Sequence, residues 1–202
     1  MRRLLLLSVL AVLTASAMAV EMGNAVGYHF GIGTSYIDGP GAPMNTSSDF
    51  SGIPVGFYFN LSLAPKMSVR TELNWLKYGF TSEDDDYTYY HYYDYLQIPV
   101  LIRLSLTSGD FEPMVFAGPH WAKNLDAYYS TVGSGADTDL TDITAPTEFG
   151  FIAGLGFSAR FGWFHTDMDL RFTMGQSNVF TDEYPEAKFK STLVTLGMGY
   201  AF

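Results

Sequence analysis

The sequence predicts an all-β fold, an eight-stranded antiparallel up-and-down barrel that crosses a membrane, and three observations predict it. Apolar residues alternate with small or polar ones in eight successive segments, the last of which ends at Phe202. Short and long connections alternate between those segments, as they do when all strands run up and down one cylinder. The chain is 48% hydrophobic but only 16% charged, where soluble domains carry about 25% charged residues. Much of its surface is therefore expected to face something other than water.

The 202 residues fit one domain preceded by an export signal. Met1-Arg2-Arg3 is a charged start, Leu4 to Leu13 an apolar run, and Ala17-Met18-Ala19 a small-residue cleavage site. That is the pattern of a secretory signal peptide over residues 1–19, and its apolar run is too short to span a bilayer. The barrel is expected over residues 20–202. With no cysteine in the chain, disulfides, thiolate catalysis and a lipoprotein anchor are all excluded.

Each strand reads by its period of two. In the first, Val26, Tyr28, Phe30, Ile32, Thr34 and Tyr36 share one face, against Gly27, His29, Gly31, Gly33 and Ser35. The second sets Ile53, Val55, Phe57, Phe59, Leu61 and Leu63 against Pro54, Gly56, Tyr58, Asn60 and Ser62. The third, around 67–80, alternates Val69, Thr71, Leu73 and Trp75 with Arg70, Glu72 and Asn74. The fourth places Leu96, Ile98, Val100, Ile102 and Leu104 opposite Tyr95, Gln97, Pro99, Leu101 and Arg103. The fifth, about 111–124, turns Val115, Ala117, Pro119 and Trp121 one way. The sixth runs Phe149, Phe151, Ala153, Leu155, Phe157 and Phe161 against Glu148, Gly150, Gly154, Gly156 and Arg160. The seventh opposes Phe164, Met168, Leu170 and Phe172 to His165, Asp167, Asp169 and Arg171. The eighth ends the chain with Val194, Leu196, Met198, Tyr200 and Phe202 on one face. Short links fall at 64–66, 107–110 and Gly162, and long polar ones near 37–50, 81–93, 125–146 and 176–188. Both termini then lie with the short turns, in the periplasm.

A soluble barrel would alternate equally well, so the outward face has to be chosen on chemistry. The lean face is mostly glycine, serine and tyrosine rather than the lysine and glutamate a solvated exterior needs. The apolar face is too bulky for the interior of an eight-stranded cylinder. Large apolar residues outward, towards lipid, and glycine inward is the arrangement that closes.

The charges follow this division. Arg70, Arg103, Arg160 and Arg171 all take the inward parity, as do Glu72, Glu148, Asp167 and Asp169. These eight are expected to form hydrogen-bonded ion pairs in a filled lumen, with no appreciable small-solute conductance. Lys77, Lys123, Lys188 and Lys190 cluster instead at the loop ends of strands. A lysine on the lipid face costs about 2–4 kcal/mol at mid-membrane and little near an interface. Lys77 and Lys190 are therefore expected to contact lipopolysaccharide phosphates of the outer leaflet.

The net charge of -10 excludes a nucleic-acid partner. Acid concentrates in the long connections: Glu83-Asp84-Asp85-Asp86 precedes the run Tyr87-Thr88-Tyr89-Tyr90-His91-Tyr92-Tyr93, and Asp137, Asp139 and Asp142 lie in the next. Neither group has the ligand spacing of a calcium loop, so both read as solvated surface, and no metal or cofactor is expected. The tyrosines suit surface recognition or an aromatic belt. Of the four histidines, His29, His165 and His120 take the inward parity and His91 falls in a loop. None stands on the lipid face beside a serine, so no enzymatic activity is expected.

With the strands placed, Tyr95-Leu96-Gln97-Ile98-Pro99-Val100-Leu101 resembles the strand motif of the PorT-like small outer-membrane β-barrels. Phe116-Ala117-Gly118-Pro119 and Phe149-Gly150-Phe151-Ile152-Ala153-Gly154-Leu155-Gly156 resemble two later signatures of that group, although Gln97 stands where glutamate is frequent. The resemblance implies the fold and the membrane, carries no catalytic residues, and includes relatives that assist protein secretion. The terminal strand ending at Phe202 is also similar to the signal by which barrel-assembly machinery recognises its clients. The reading is thus a structural or surface-interaction protein of the outer membrane. A secretion or envelope-assembly component is the first alternative; a narrow ion channel and a lipid A-modifying enzyme follow.

Overall fold

In the computed structural model, residues 24–43, 45–84, 87–132, 137–181 and 185–202 are described. The expected signal peptide, Asp85 and Asp86 lie outside them. Ten strands form: β1 (Ala25–Asp38), β2 (Thr46–Ser51), β3 (Val55–Ala64), β4 (Met67–Glu83), β5 (Thr88–Ser105), β6 (Phe111–Thr131), β7 (Asp137–Asp139), β8 (Thr147–Phe161), β9 (Phe164–Gly175) and β10 (Lys188–Ala201). Eight of them pair antiparallel in the order β1-β3-β4-β5-β6-β8-β9-β10, and β10 returns to β1 to close the ring. The closing ladder runs unbroken from Ala25↔Ala201 to Asp38↔Lys188. Closure leaves no long unpaired edge, the condition for a sheet in hydrocarbon.

Burial follows the expected parity. Ile32, Phe57, Trp75, Ile102, Leu155 and Phe172 are exposed on the outer face, while Tyr58, Arg70, Gln97, Ile152, Asp167 and Thr195 are buried in the lumen. Glycine makes that lumen possible at particular points. A Cβ on Gly199 would stand 2.6 Å from the Tyr58 hydroxyl, and one on Gly197 would stand 2.7 Å from Asp167 Oδ2. The short connections fall where expected, with Gly109 and Gly162 supplying the positive φ that their tight turns require.

Three of the four long connections are more ordered than the sequence reading has them. The expected loop at 81–93 is largely strand, because β4 continues to Glu83 and β5 starts at Thr88. In place of a loop at 125–146, β6 continues to Thr131, β7 folds back on it, and a 3-10 turn covers Thr141–Ile143. The stretch 37–50 contains most of β2. Tyrosine and threonine favour extended backbone although they carry polar groups. Their rings pair across the strands: Phe80 stacks on His91 at 4.4 Å between centroids, and Tyr92 lies 5.3 Å from Tyr128. A membrane strand needs about 9–11 residues, so the 18 of β5 and the 21 of β6 extend well past the bilayer.

A second correction concerns the start of the second sequence segment. Gly52, Ile53 and Pro54 are not strand; they separate β2 from β3, both of which lie between β1 and β4. Between Ser48↔Phe80 and Val55↔Trp75, residues 49–54 span the distance that 76–79 span on β4. The strand is interrupted there, where Pro54 cannot donate to the ladder although its carbonyl still accepts from Gly31 N–H at 3.0 Å.

Replacing Val194, at the centre of β10 on the outer face, by lysine is expected to lower stability by about 2–4 kcal/mol. Unfolding titrations in lipid vesicles measure this, and an unchanged midpoint contradicts the lipid-facing orientation.

Candidate functional site

Two regions carry the chemistry of this chain, the lumen and the outer rim of the wall. In the lumen, alternation on β4 places Arg70 and Glu72 on one wall, and alternation on β9 places Asp167, Asp169 and Arg171 on another. In the ring order these two strands are four steps apart in either direction, so they face each other across the axis. Arg70 donates to Asp167 through both Nη atoms, at 2.9 Å each. Arg171 returns the contact, donating to Glu72 Oε2 at 2.6 Å and Oε1 at 3.0 Å, and to Asp169 Oδ2 at 2.9 Å. Arg103 from β5 reaches Asp169 Oδ1 at 3.4 Å. Three guanidinium groups and three carboxylates thus form one lattice, buried in every member. Planar forks suit this confined, two-point pairing better than ammonium groups.

Neutral groups complete the layer. The Arg70 guanidinium lies 4.0 Å from the centre of the Tyr58 ring, and the Tyr58 hydroxyl is 3.1 Å from His165 Nδ1. Asn74 donates to Glu72 at 3.0 Å and its carbonyl oxygen is 2.9 Å from His29 Nε2. Outward of the lattice sits an aromatic layer of Tyr78, Phe80, Tyr93, Tyr95 and Phe189, in which Phe189 lies 4.9 Å from Tyr93 and 5.0 Å from Tyr78. Chain from the two last long connections packs over it: Val179 joins this cluster, and its carbonyl accepts from Ala145 N–H at 2.7 Å. Towards the short turns the lumen opens into a polar cavity of about 50 Å³ lined by Asn60, Ser62, Glu112, Ser158, Arg160 and His165.

Two of the eight residues expected in ion pairs stand apart. Glu148 is 2% exposed, and among the described residues neither of its carboxylate oxygens has a hydrogen-bond partner. Its position near the outer end of β8 sets it in the layer of Tyr78, Tyr95 and Gln97, beyond the arginines. Arg160, at the opposite end of the same strand, lines the cavity at the short-turn end and makes no ion pair among the described residues. Shared parity put both on the inner face, but depth along the strand separates them from partners.

At the rim, Lys77 faces outward and bonds Tyr128 Oη at 3.1 Å and Asp94 at 3.3 Å, with the Tyr92 and Tyr128 rings 5.5 and 5.3 Å from its ammonium. Lys190 pairs with Asp38 and lies 5.9 Å from the Tyr36 ring. Lysine, carboxylate and tyrosine at one height form a membrane-interface belt. In the third connection Asp139 accepts from Thr141 N–H at 2.8 Å, which holds its carboxyl below the ordinary range. That contact caps a turn. Among the described residues no cluster of three His, Asp or Glu side chains has the arrangement of a metal site.

One juxtaposition escaped the sequence reading. Ser82 Oγ and His91 Nε2 are 2.9 Å apart on the β4–β5 hairpin, above the rim. Treating 81–93 as loop hid it; the available signal was a period of two continuing through Ser82 on one strand and His91 on the next. Among the described residues His91 Nδ1 has no hydrogen-bond partner, and Ser82 is buried, so there the pair has neither the orienting acid nor the exposed nucleophile of a hydrolase.

A closed antiparallel ring with an apolar exterior and a packed ionic lumen defines an outer-membrane β-barrel. Residues 19–181 match the family described as outer membrane protein beta-barrel domain, and the chain belongs to it. It is an outer-membrane protein. Among solved structures, AlkL in lipid bilayers is similar at a TM-score of 0.53 and 13% identity, over 90% of this chain and 90% of that one. Neisserial surface protein A aligns at 0.49 and 11%, over 85% of this chain and 95% of that one. Ail of Yersinia pestis, solved with a heparin analogue, aligns at 0.45 and 13%, over 90% and 100%. The AlkL likeness bears on the fold alone. A search of curated proteins finds no match.

Substituting asparagine for Asp167 leaves Arg70 buried without its counter-charge and is expected to cost about 3–5 kcal/mol. Glu148→Gln removes a carboxylate that has no partner and is expected to leave stability equal or higher. Denaturant titration of the two variants in parallel, with folded and unfolded forms separated by gel mobility, measures the contrast. Equal losses in both contradict the lattice.

Proposed function

We propose that this protein is a structural and surface-interaction protein of the outer membrane, in which a side-chain-filled barrel holds a tyrosine-rich, acidic sheet outside the cell. The observation that carries the reading is the continuation of β4, β5 and β6 beyond the rim as paired strands. There Tyr89 and Tyr90 of β5 stand beside Tyr129 of β6 on paired strands that continue the barrel wall. Tyrosine offers large contact area with little conformational entropy to lose, which suits a recognition surface. The filled lumen weighs against conduction, and the buried Ser82 weighs against lipid A chemistry. Two contacts with the envelope accompany this role: Lys77 and Lys190 meet lipopolysaccharide phosphates at the rim, and the strand ending at Phe202 is read by the assembly machinery.

The secretion reading of the PorT-like resemblance has less behind it. Tyr95, Gln97, Pro99 and Leu101 of the shared motif are all buried in the lumen. A motif whose alternate residues pack a barrel interior marks a way of filling the lumen rather than a docking surface. Co-purification of periplasmic secretion proteins with the intact chain favours that alternative.

A photoreactive residue at Tyr90 in intact cells is expected to crosslink to a defined external partner. Crosslinks confined to lipid, or to periplasmic proteins, contradict the surface-interaction role.

A further inference from the structure

The wall interruption at Gly52, Ile53 and Pro54 opens on the outer face into a groove of about 300 Å³. Its walls are Ile53, Val55 and Trp75, and its outer end is closed by Lys77 and Asp94. Ile53 and Trp75 are each 62% exposed, so nothing among the described residues covers this apolar floor. Gly52 keeps it open: a Cβ there would meet Lys77 Cβ at 3.2 Å. Here the bulged backbone leaves a recess that runs along the wall and ends at a cation.

We propose that this groove is a binding site for one lipopolysaccharide molecule of the outer leaflet, with an acyl chain against Ile53, Val55 and Trp75 and a lipid A phosphate on Lys77. Charge and depth select this occupant. The groove opens towards hydrocarbon, so what fills it is an acyl chain. Its polar end lies at the height of Tyr92 and Tyr128, the outer interface, where the lipid carrying phosphates is lipopolysaccharide. The Lys77 ammonium has three donors; Asp94 and Tyr128 engage two, leaving one for a phosphate oxygen. An acyl chain lodged in the recess also covers Gly52 and Ile53, which lie outside the strands, whereas the Pro54 carbonyl accepts from Gly31 N–H at 3.0 Å. The site deepens the rim contact proposed above and rests on it, adding an acyl-chain pocket to the headgroup contact.

The test uses the full folded chain in phosphatidylcholine nanodiscs containing lipid A with a photoactivatable diazirine on an acyl chain. Peptide mapping after photolysis is expected to place adducts on Ile53 and Trp75 in preference to outward residues on the opposite wall, such as Phe172. Gly52→Leu fills the recess and is expected to abolish that preference. Lys77→Ala is expected to weaken lipid A binding by about fivefold, the size of one exposed ion pair. Gel mobility confirms that each variant is folded. Uniform labelling around the barrel with a retained effect of Lys77→Ala overturns the groove and leaves the rim contact standing. Equal preference for a diazirine-labelled phosphatidylglycerol overturns the choice of lipopolysaccharide.

Discussion

The structure depends on ionic pairing across a lumen too narrow to hold bulk water. An eight-stranded ring has space for side chains and little else. Here the widest polar layer is spanned by guanidinium–carboxylate forks running from β4 to β9, on facing walls. The cost of burying six charges is offset only when every charge has a counter-charge and good geometry. The pairing of Arg70 with Asp167 and of Arg171 with Glu72 and Asp169 meets that condition. Much of the remaining interior is shaped around it: Tyr58 beneath a guanidinium, Asn74 and His29 on the carboxylate, glycines where the bulky groups touch the wall.

Strand parity was the legible part of this sequence. A period of two assigns each residue to lipid or lumen without knowledge of register, and Arg70, Arg103, Asp167 and Arg171 all fall as that period directs. Depth and partner were not legible, because Arg70 and Asp167 are 97 residues apart and meet only through the stagger of four intervening ladders. The isolation of Glu148 follows from the same blindness to depth. It shares a face with Arg160 but sits at the other end of β8. The strand extensions were hidden for a different reason. In Tyr87-Thr88-Tyr89-Tyr90-His91-Tyr92-Tyr93 both faces are aromatic and polar, so hydrophobic alternation is weak although extended propensity is strong.

The outer half of the molecule is correspondingly uneven. β4, β5 and β6 rise together as a tall sheet, whereas β9 ends at Gly175 and the chain around Val179 folds inward over the lumen. Beside the tall sheet, residues 52–54 break the strand between β2 and β3. Height, cover and the wall recess therefore lie on different sectors of one ring, each set by local sequence: tyrosine runs, a loop with Asn178 accepting from Ala187 N–H at 2.8 Å, and a Gly-Ile-Pro interruption.

The position of the ionic lattice also orders assembly. Its two walls come from the third and seventh strands of the ring in chain order, so the pairs cannot meet until nearly the whole polypeptide is in place. While β10 has not yet reached β1, the six charges face an open, hydrated cleft. Sealing that seam dehydrates them and joins them in the same event, so half-closed intermediates gain nothing from these contacts. The lattice thereby sharpens the transition between an open sheet and a finished cylinder.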